Sequence, residues 1–159
     1  MIALLDYGSG NMRSVEKALR KVGADVVVTT RPEGINGARG IVLPGVGAFS
    51  DCMKNLEQYG LIDAVYKSIN SGRPFLGICL GMQLFASFGE EGGVHEGLGW
   101  IPGRTRRFKV DEAQVRIPHV GWDDVSPKEG AALFRGVSPR IFYFVHSFHF
   151  APEDAAAVS

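Results

Sequence analysis

The sequence predicts an α/β fold: a mostly parallel sheet flanked by helices, with an added antiparallel β segment after about residue 97. Three observations carry that prediction. Short apolar runs recur at Ile2-Ala3-Leu4-Leu5, Val26-Val27-Val28 and Gly40-Ile41-Val42-Leu43, the pattern of strands buried on both faces. Glycine turns and helical spacings alternate with these runs, and a strand–helix–strand rhythm implies crossover connections in one parallel sheet. Beyond Gly97 the helical spacing gives way to uneven alternation and turn residues. The length of 159 residues suits a single domain with a real core.

Each element follows from local pattern. Ile2-Ala3-Leu4-Leu5-Asp6 is the first strand, and Tyr7-Gly8-Ser9-Gly10-Asn11 the turn after it. From Asn11 a helix brings Val15, Leu19 and Val22 to one face and stops at Gly23. The second strand, a Gly/Pro/Asn-rich loop over residues 31–39 and the third strand follow. Residues 48–59 and 61–70 read as two helices, the second with Leu61, Ile62, Val65, Tyr66 and Ile69 as its apolar stripe. Gly72 and Pro74 then lead into a buried strand, Arg73-Pro74-Phe75-Leu76, and Leu80 to Ala86 reads as a helix start. Phe88-Gly89-Glu90-Glu91-Gly92-Gly93 is an acidic loop. Residues 100–110, Gln114-Val115-Arg116-Ile117 and Ile141-Phe142-Tyr143-Phe144-Val145 read as β-structure, with a connector over 126–140. The basic cluster from Arg104 to Lys109 reads as a solvated strand face.

Composition narrows the class of function. Formal net charge is zero and charged residues make up 21%, which argues against nucleic acid as the main partner. The start goes straight into an apolar strand without a basic leader, and no apolar run reaches membrane-spanning length. The two cysteines form no disulfide framework, and a reducing cytoplasm suits them. Gly8-Ser9-Gly10 lacks the third glycine of a dinucleotide fingerprint, since Arg13 stands in its place. No cofactor or metal is called for.

The chemistry concentrates at Gly77-Ile78-Cys79-Leu80-Gly81-Met82-Gln83. Cys79 falls where a strand turns into a helix, and G-x-C-x-G is the thiol counterpart of the G-x-S-x-G nucleophile elbow. Glycines on both sides let strand and helix approach around a strained turn. The helix N-terminus favours thiolate, and the Leu80 N–H can donate to an oxyanion. Pro44-Gly45-Val46-Gly47-Ala48, at the carboxyl end of the third strand, is placed to supply a second donor, the Val46 N–H. Cys52 reads as helix packing. Ile117-Pro118-His119-Val120-Gly121-Trp122 sets an imidazole and an indole in one turn. His146 and His149 at the end of the apolar strand stay unassigned on pattern alone.

Together, Pro44-Gly45-Val46-Gly47, the elbow and Tyr143-Phe144-Val145-His146-Ser147 resemble class I (triad-type) glutamine amidotransferases, which have a flavodoxin-like sheet. Asp6-Tyr7-Gly8-Ser9-Gly10-Asn11 and Ile117-Pro118-His119-Val120-Gly121-Trp122 resemble, within that class, the glutaminase subunits of imidazole glycerol phosphate synthases. The resemblance spans residues 2 to about 150. It implies Cys79 as the nucleophile that forms a γ-glutamyl thioester, with the Val46 and Leu80 N–H groups as the oxyanion hole. It implies Gly45, Gly47, Gln83, Glu91, Ser147 and Phe148 around the glutamine. It implies a heterodimer whose other member is a TIM-barrel cyclase, with Asn11, His119, Trp122, Tyr143 and His146 toward it and ammonia passing into the barrel.

The sequence departs from the family at Arg116 where Lys is common, Asp123 where Asn is usual, and Phe148 where Tyr is common. The family's triad also takes a His and a Glu from a late His-Pro-Glu segment, and this sequence contains no such tripeptide. The expectation is therefore a single amidotransferase domain lacking its C-terminal elements, with little or no glutaminase activity alone. Two alternatives stand beside it: the glutaminase of another biosynthetic pathway, against which the Pro-His-Val-Gly-Trp turn speaks, and a non-catalytic binding or regulatory protein on the same fold.

Overall fold

The computed structural model describes residues 1–111 and 113–158. Four strands, β1 (Ile2–Leu5), β2 (Val26–Thr29), β3 (Gly40–Gly45) and β4 (Phe75–Cys79), form an all-parallel sheet in the order β2-β1-β3-β4. In register, Ile2 pairs with Val26 and Gly40, and Gly45 pairs with Cys79. The last pair sets the glycine turn beside the elbow. Helix α1 (Met12–Lys21) covers one face, where Met12, Val15 and Leu19 pack on Leu4, Val26 and Val42. Asn11 caps it, accepting from the Ser14 N–H at 3.4 Å. Helices α2 (Phe49–Gln58) and α3 (Leu61–Asn70) cover the other face, where Phe49, Cys52, Leu56, Leu61 and Val65 join Ala3, Leu5, Ile41 and Leu43 in the main core. Burying the Leu, Ile, Val and Phe side chains among these is worth roughly 1.5–3 kcal/mol each.

A second sheet differs from expectation. The helix after the elbow, α4, spans only Leu80–Gln83, and β5 (Ala86–Gly89) begins where the helix was expected to continue. Ala86 pairs with Ile101 in parallel, so β5 joins β7 (Ile101–Arg107) instead of extending the helix. With β6 (His95–Glu96) and β10 (Phe148–Pro152) the order is β10-β7-β5-β6. The segment after Gly97 is thus not simply antiparallel: it enters a mixed sheet that starts before it. Arg104, Arg106 and Arg107 of β7 are exposed, while Gly103 and Thr105 are buried. Arg104 pairs with Glu90 at 3.2 Å and lies over the Phe88 ring.

The remaining strands, β8 (His119–Asp124) and β9 (Ile141–His146), form a two-stranded antiparallel ribbon. Gln114-Val115-Arg116-Ile117, expected as a strand, does not form one. The N–H groups of Gln114 and Val115 both donate to the Asp111 carbonyl at 2.9 Å, and the Asp111 carboxylate accepts from the Ala113 N–H at 3.0 Å. An Asx turn therefore takes the backbone groups a ladder would need.

Candidate active site

Cys79 ends β4 with φ 55° and ψ −120°, the only non-glycine residue with positive φ among the described residues. A side chain there is strained by about 1–3 kcal/mol, and such strain persists only where the surroundings enforce it. The enforcement comes from close backbone packing. A Cβ on Gly81 would stand 2.0 Å from the Leu43 carbonyl oxygen, and one on Gly45 2.5 Å from the Gly81 N. The turn at the end of β3 and the elbow at the end of β4 thus interlock through two residues that must lack side chains. The thiol of Cys79 is exposed, whereas Cys52 is fully buried. Because α4 is a single turn, its macrodipole is weaker than the expected helix would supply.

In front of the thiol lies a cleft of about 390 Å3 lined by Val46, Gly47, Cys79, Leu80, Gln83, Glu91, Pro118, Val145, His146, Ser147 and Phe148. The elbow, the turn after β3, the loop after β5 and the β9–β10 junction, far apart in sequence, converge there. Of the residues expected around the substrate, Gly45 alone does not line it; its place is the packing contact with Gly81. The Phe148 carbonyl is a node: it accepts from Gln83 Nε2 at 3.1 Å and from His146 Nδ1 at 2.8 Å. A carbonyl can only accept, so His146 carries its proton on Nδ1. The Ser147 carbonyl accepts from the Phe108 N–H at 3.0 Å, joining this wall to the end of β7.

Three contacts hold the glycine turn, and pattern reading missed all of them. The hydroxyl of Tyr7, itself fully buried, donates to the Pro44 carbonyl at 2.6 Å. Burial, with Cys52 nearby, pushes that hydroxyl far above its ordinary pKa, so it stays a donor. The Cys52 thiol lies 3.6 Å from the Val46 carbonyl oxygen, and burial likewise raises its pKa. Its packing role holds, but it packs against the turn itself. The Phe49 N–H donates to Glu91 Oε2 at 2.9 Å across 42 positions of sequence. No local signal could show the Tyr7 and Glu91 contacts, because they join residues 37 and 42 positions apart that only the fold brings together.

The residues expected toward a partner divide. Along the ribbon side chains alternate. Val120 faces Val145 and Trp122 faces Tyr143, so these four share one face, with Trp122 73% exposed. The Trp122 and Tyr143 rings meet edge-on at 5.5 Å. His119 and His146 are paired on the opposite face, where both contact the Phe144 ring. Asn11 is far from this ribbon in sequence, at the start of α1.

Comparison with known proteins agrees with this geometry. The family model "Glutamine amidotransferase class-I" matches residues 3–158. The chain is 46% identical over 164 aligned positions to the imidazole glycerol phosphate synthase subunit HisH of Syntrophotalea carbinolica, covering 100% of this chain and 80% of that one. It is 45% identical to HisH of Geobacter sulfurreducens, covering 99% and 78%. A crystal structure described as a glutamine amidotransferase superposes with a TM-score of 0.74 at 20% identity, covering 97% of this chain and 75% of that one. A crystal structure of a putative GMP synthase component from Thermoplasma acidophilum gives 0.60 at 20% identity, covering 96% and 68%. The exposed thiol on a strained, glycine-flanked bend and the match along nearly its whole length agree: the chain belongs to the class I glutamine amidotransferases, in the HisH family of imidazole glycerol phosphate synthase subunits.

Proposed function

We propose that Cys79 is the nucleophile that removes the amide nitrogen of glutamine. The thiolate sulfur attacks the side-chain carbonyl carbon, and the oxygen takes the negative charge between the Val46 and Leu80 N–H groups. Collapse breaks the C–N bond; the nitrogen gains a proton and leaves as ammonia, and a γ-glutamyl thioester remains. Water then releases glutamate and restores the thiol. Gln83, Glu91, Ser147 and Phe148 surround the substrate's amino-acid end, the Glu91 carboxylate facing its ammonium. The observation that carries this reading is the single cleft that joins Cys79 to Val46, Gln83, Glu91, Ser147 and Phe148.

The relatives are named as subunits of imidazole glycerol phosphate synthase. By that likeness the ammonia passes to a TIM-barrel cyclase in histidine biosynthesis. A dry passage suits a nucleophile that water would largely protonate. The site needs a reduced thiol, as a cytoplasm provides, and no helix among the described residues is long and apolar enough to cross a membrane.

These 159 residues by themselves turn over little glutamine in this reading. The sequence has no His-Pro-Glu, and a triad needs a base whose orientation a third group fixes. Among the described residues His146 is the one histidine lining the cleft, and it spends its Nδ1–H on the Phe148 carbonyl instead of on a carboxylate. The test is alkylation by a diazoketone analogue of glutamine, followed by peptide mapping, beside glutamate release with the cyclase present. Modification at Cys79, blocked by excess glutamine and lost in Cys79→Ala, is expected, with glutamate release near background. Indiscriminate labelling of both cysteines would overturn the nucleophile; rapid glutamate release would overturn the low-activity statement.

A further inference from the structure

Helix α2 begins without a cap of its own. Its N-cap is Ala48, whose methyl group can accept nothing, and no side chain of the turn bonds to the helix start. The first-turn N–H groups of a helix need acceptors, and alanine is among the poorest N-cap residues. The acceptor for Phe49 arrives from a distance: Glu91 Oε2 takes its N–H at 2.9 Å. Two features deliver the carboxylate. The Phe49 ring is fully buried against the end of β5, where a Cβ on Gly89 would stand 2.5 Å from the ring. The Glu90 N–H bonds the Thr105 carbonyl at 2.9 Å, pinning the backbone just before Glu91 to β7. A negative charge at that place also complements the helix dipole.

The same carboxylate lines the cleft. Phe49 directly follows the glycine turn, whose other tethers, Tyr7 at Pro44 and Cys52 at Val46, are buried. We propose that Glu91 is a positioning residue for the oxyanion turn: through the Phe49 N–H it fixes the exit of residues 45–48, in addition to facing the substrate ammonium. This extends the glutaminase reading and rests on it for its link to reactivity. One side chain then sets both where the ligand's charged end sits and how the turn's donor is held.

Two measurements on the full chain separate the roles. Hydrogen exchange at the Phe49 amide reads the clamp with no ligand present. Glu91→Gln keeps an acceptor oxygen and should leave exchange near the wild-type rate. Glu91→Ala removes it and should speed exchange at least tenfold, about 1.4 kcal/mol of lost protection. Ala48→Ser in the Glu91→Ala background gives α2 a local cap at a backbone already extended, with φ −86° and ψ 143°, and should restore most of the protection. That double variant also carries the test if Glu91→Ala alone fails to fold.

The second measurement is alkylation by the diazoketone analogue of glutamine and by its des-amino counterpart. In both, sulfur bonds to the diazo carbon, that carbon takes the thiol proton, and dinitrogen leaves. With the des-amino reagent, wild type and Glu91→Gln should react alike, Glu91→Ala several-fold more slowly, and the double variant near wild type. With the amino-bearing reagent, all three variants should need higher concentrations to saturate. If Phe49 exchange in Glu91→Ala matches wild type, or the double variant shows no rescue, the positioning role is overturned. Equal des-amino reactivity of Glu91→Ala and wild type overturns its link to chemistry. Absence of any selective reaction at Cys79 in wild type sinks the glutaminase reading instead, with the clamp still decided by exchange.

Discussion

Cys79 has a backbone that glycine would adopt freely and that strains a residue with a side chain, with φ 55°. That suggests a measurement of strain independent of activity. Cys79→Ala keeps the Cβ and the strain; Cys79→Gly releases it. Relief of about 1–3 kcal/mol exceeds the roughly 0.5–1 kcal/mol entropic penalty of glycine, so the glycine variant should be more stable than the alanine variant by about 1 kcal/mol in urea unfolding. The reverse order would show the bend to be unstrained. At the neighbouring glycine the argument changes sign. Gly81→Ala must push a methyl group into the Leu43 carbonyl, and overpacking of this kind costs roughly 1–3 kcal/mol, occasionally more. The strained bend at Cys79 and its two flanking glycines were legible because their signal lies in spacing along the chain. Tyr7 and Phe49 were not, since a buried hydroxyl and a ring acting through its backbone N–H leave no pattern until the sheet brings Pro44 and Glu91 to them.

The elements were legible where periodicity is long, as in α3, or where a short apolar run is bounded by turn residues, as in β1, β2 and β3; the run after the elbow has neither. Helix α3 matched its apolar stripe from Leu61 to Asn70, while the run from Leu84 to Phe88 suits a helix or a strand equally, and pairing of Ala86 with Ile101 decided it. Strand β10 carries a titratable consequence. His149 stacks on Phe108 at 4.8 Å, and its Nδ1 is buried without a protein partner among the described residues. Burial, then the nearby charges of Arg106 and His146, lower its pKa below the ordinary 6.5. With the folded value depressed, the unfolded chain binds the extra proton first as pH falls, so the contribution of His149 to stability is intact above about pH 6.5 and declines below it toward the folded value. His149→Phe keeps the stack without the titration. The thermal midpoint of wild type should therefore fall further than that of the variant between about pH 7.5 and about pH 5.5, a window that brackets the ordinary histidine value; parallel curves would mean that His149 charges as easily folded as unfolded.

Across the whole molecule, the parallel sheet, the mixed sheet and the ribbon meet at the cleft, and the ribbon then leaves an apolar face outward. Val120, Trp122, Tyr143 and Val145 lie together there, each more than half exposed. The opposite face turns His146 toward the cleft and holds it by the Phe148 carbonyl. At its Val145 and His146 end the ribbon borders the cleft, and the Trp122 and Tyr143 part of the apolar face is open to a partner. If the partner is the cyclase proposed above, Trp122 is the anchor to test, because large aromatic side chains at interface centres carry most of the binding free energy. Trp122→Ala should weaken binding by about 2 kcal/mol, or about 30-fold in Kd, and Tyr143→Ala by somewhat less, since it supports the indole edge-on. His119→Ala, on the other face, should change affinity little while altering the Phe144 stack. Titration calorimetry against the cyclase measures all three. An order in which His119→Ala is the most damaging would place the partner against the opposite face of the ribbon and reverse this assignment.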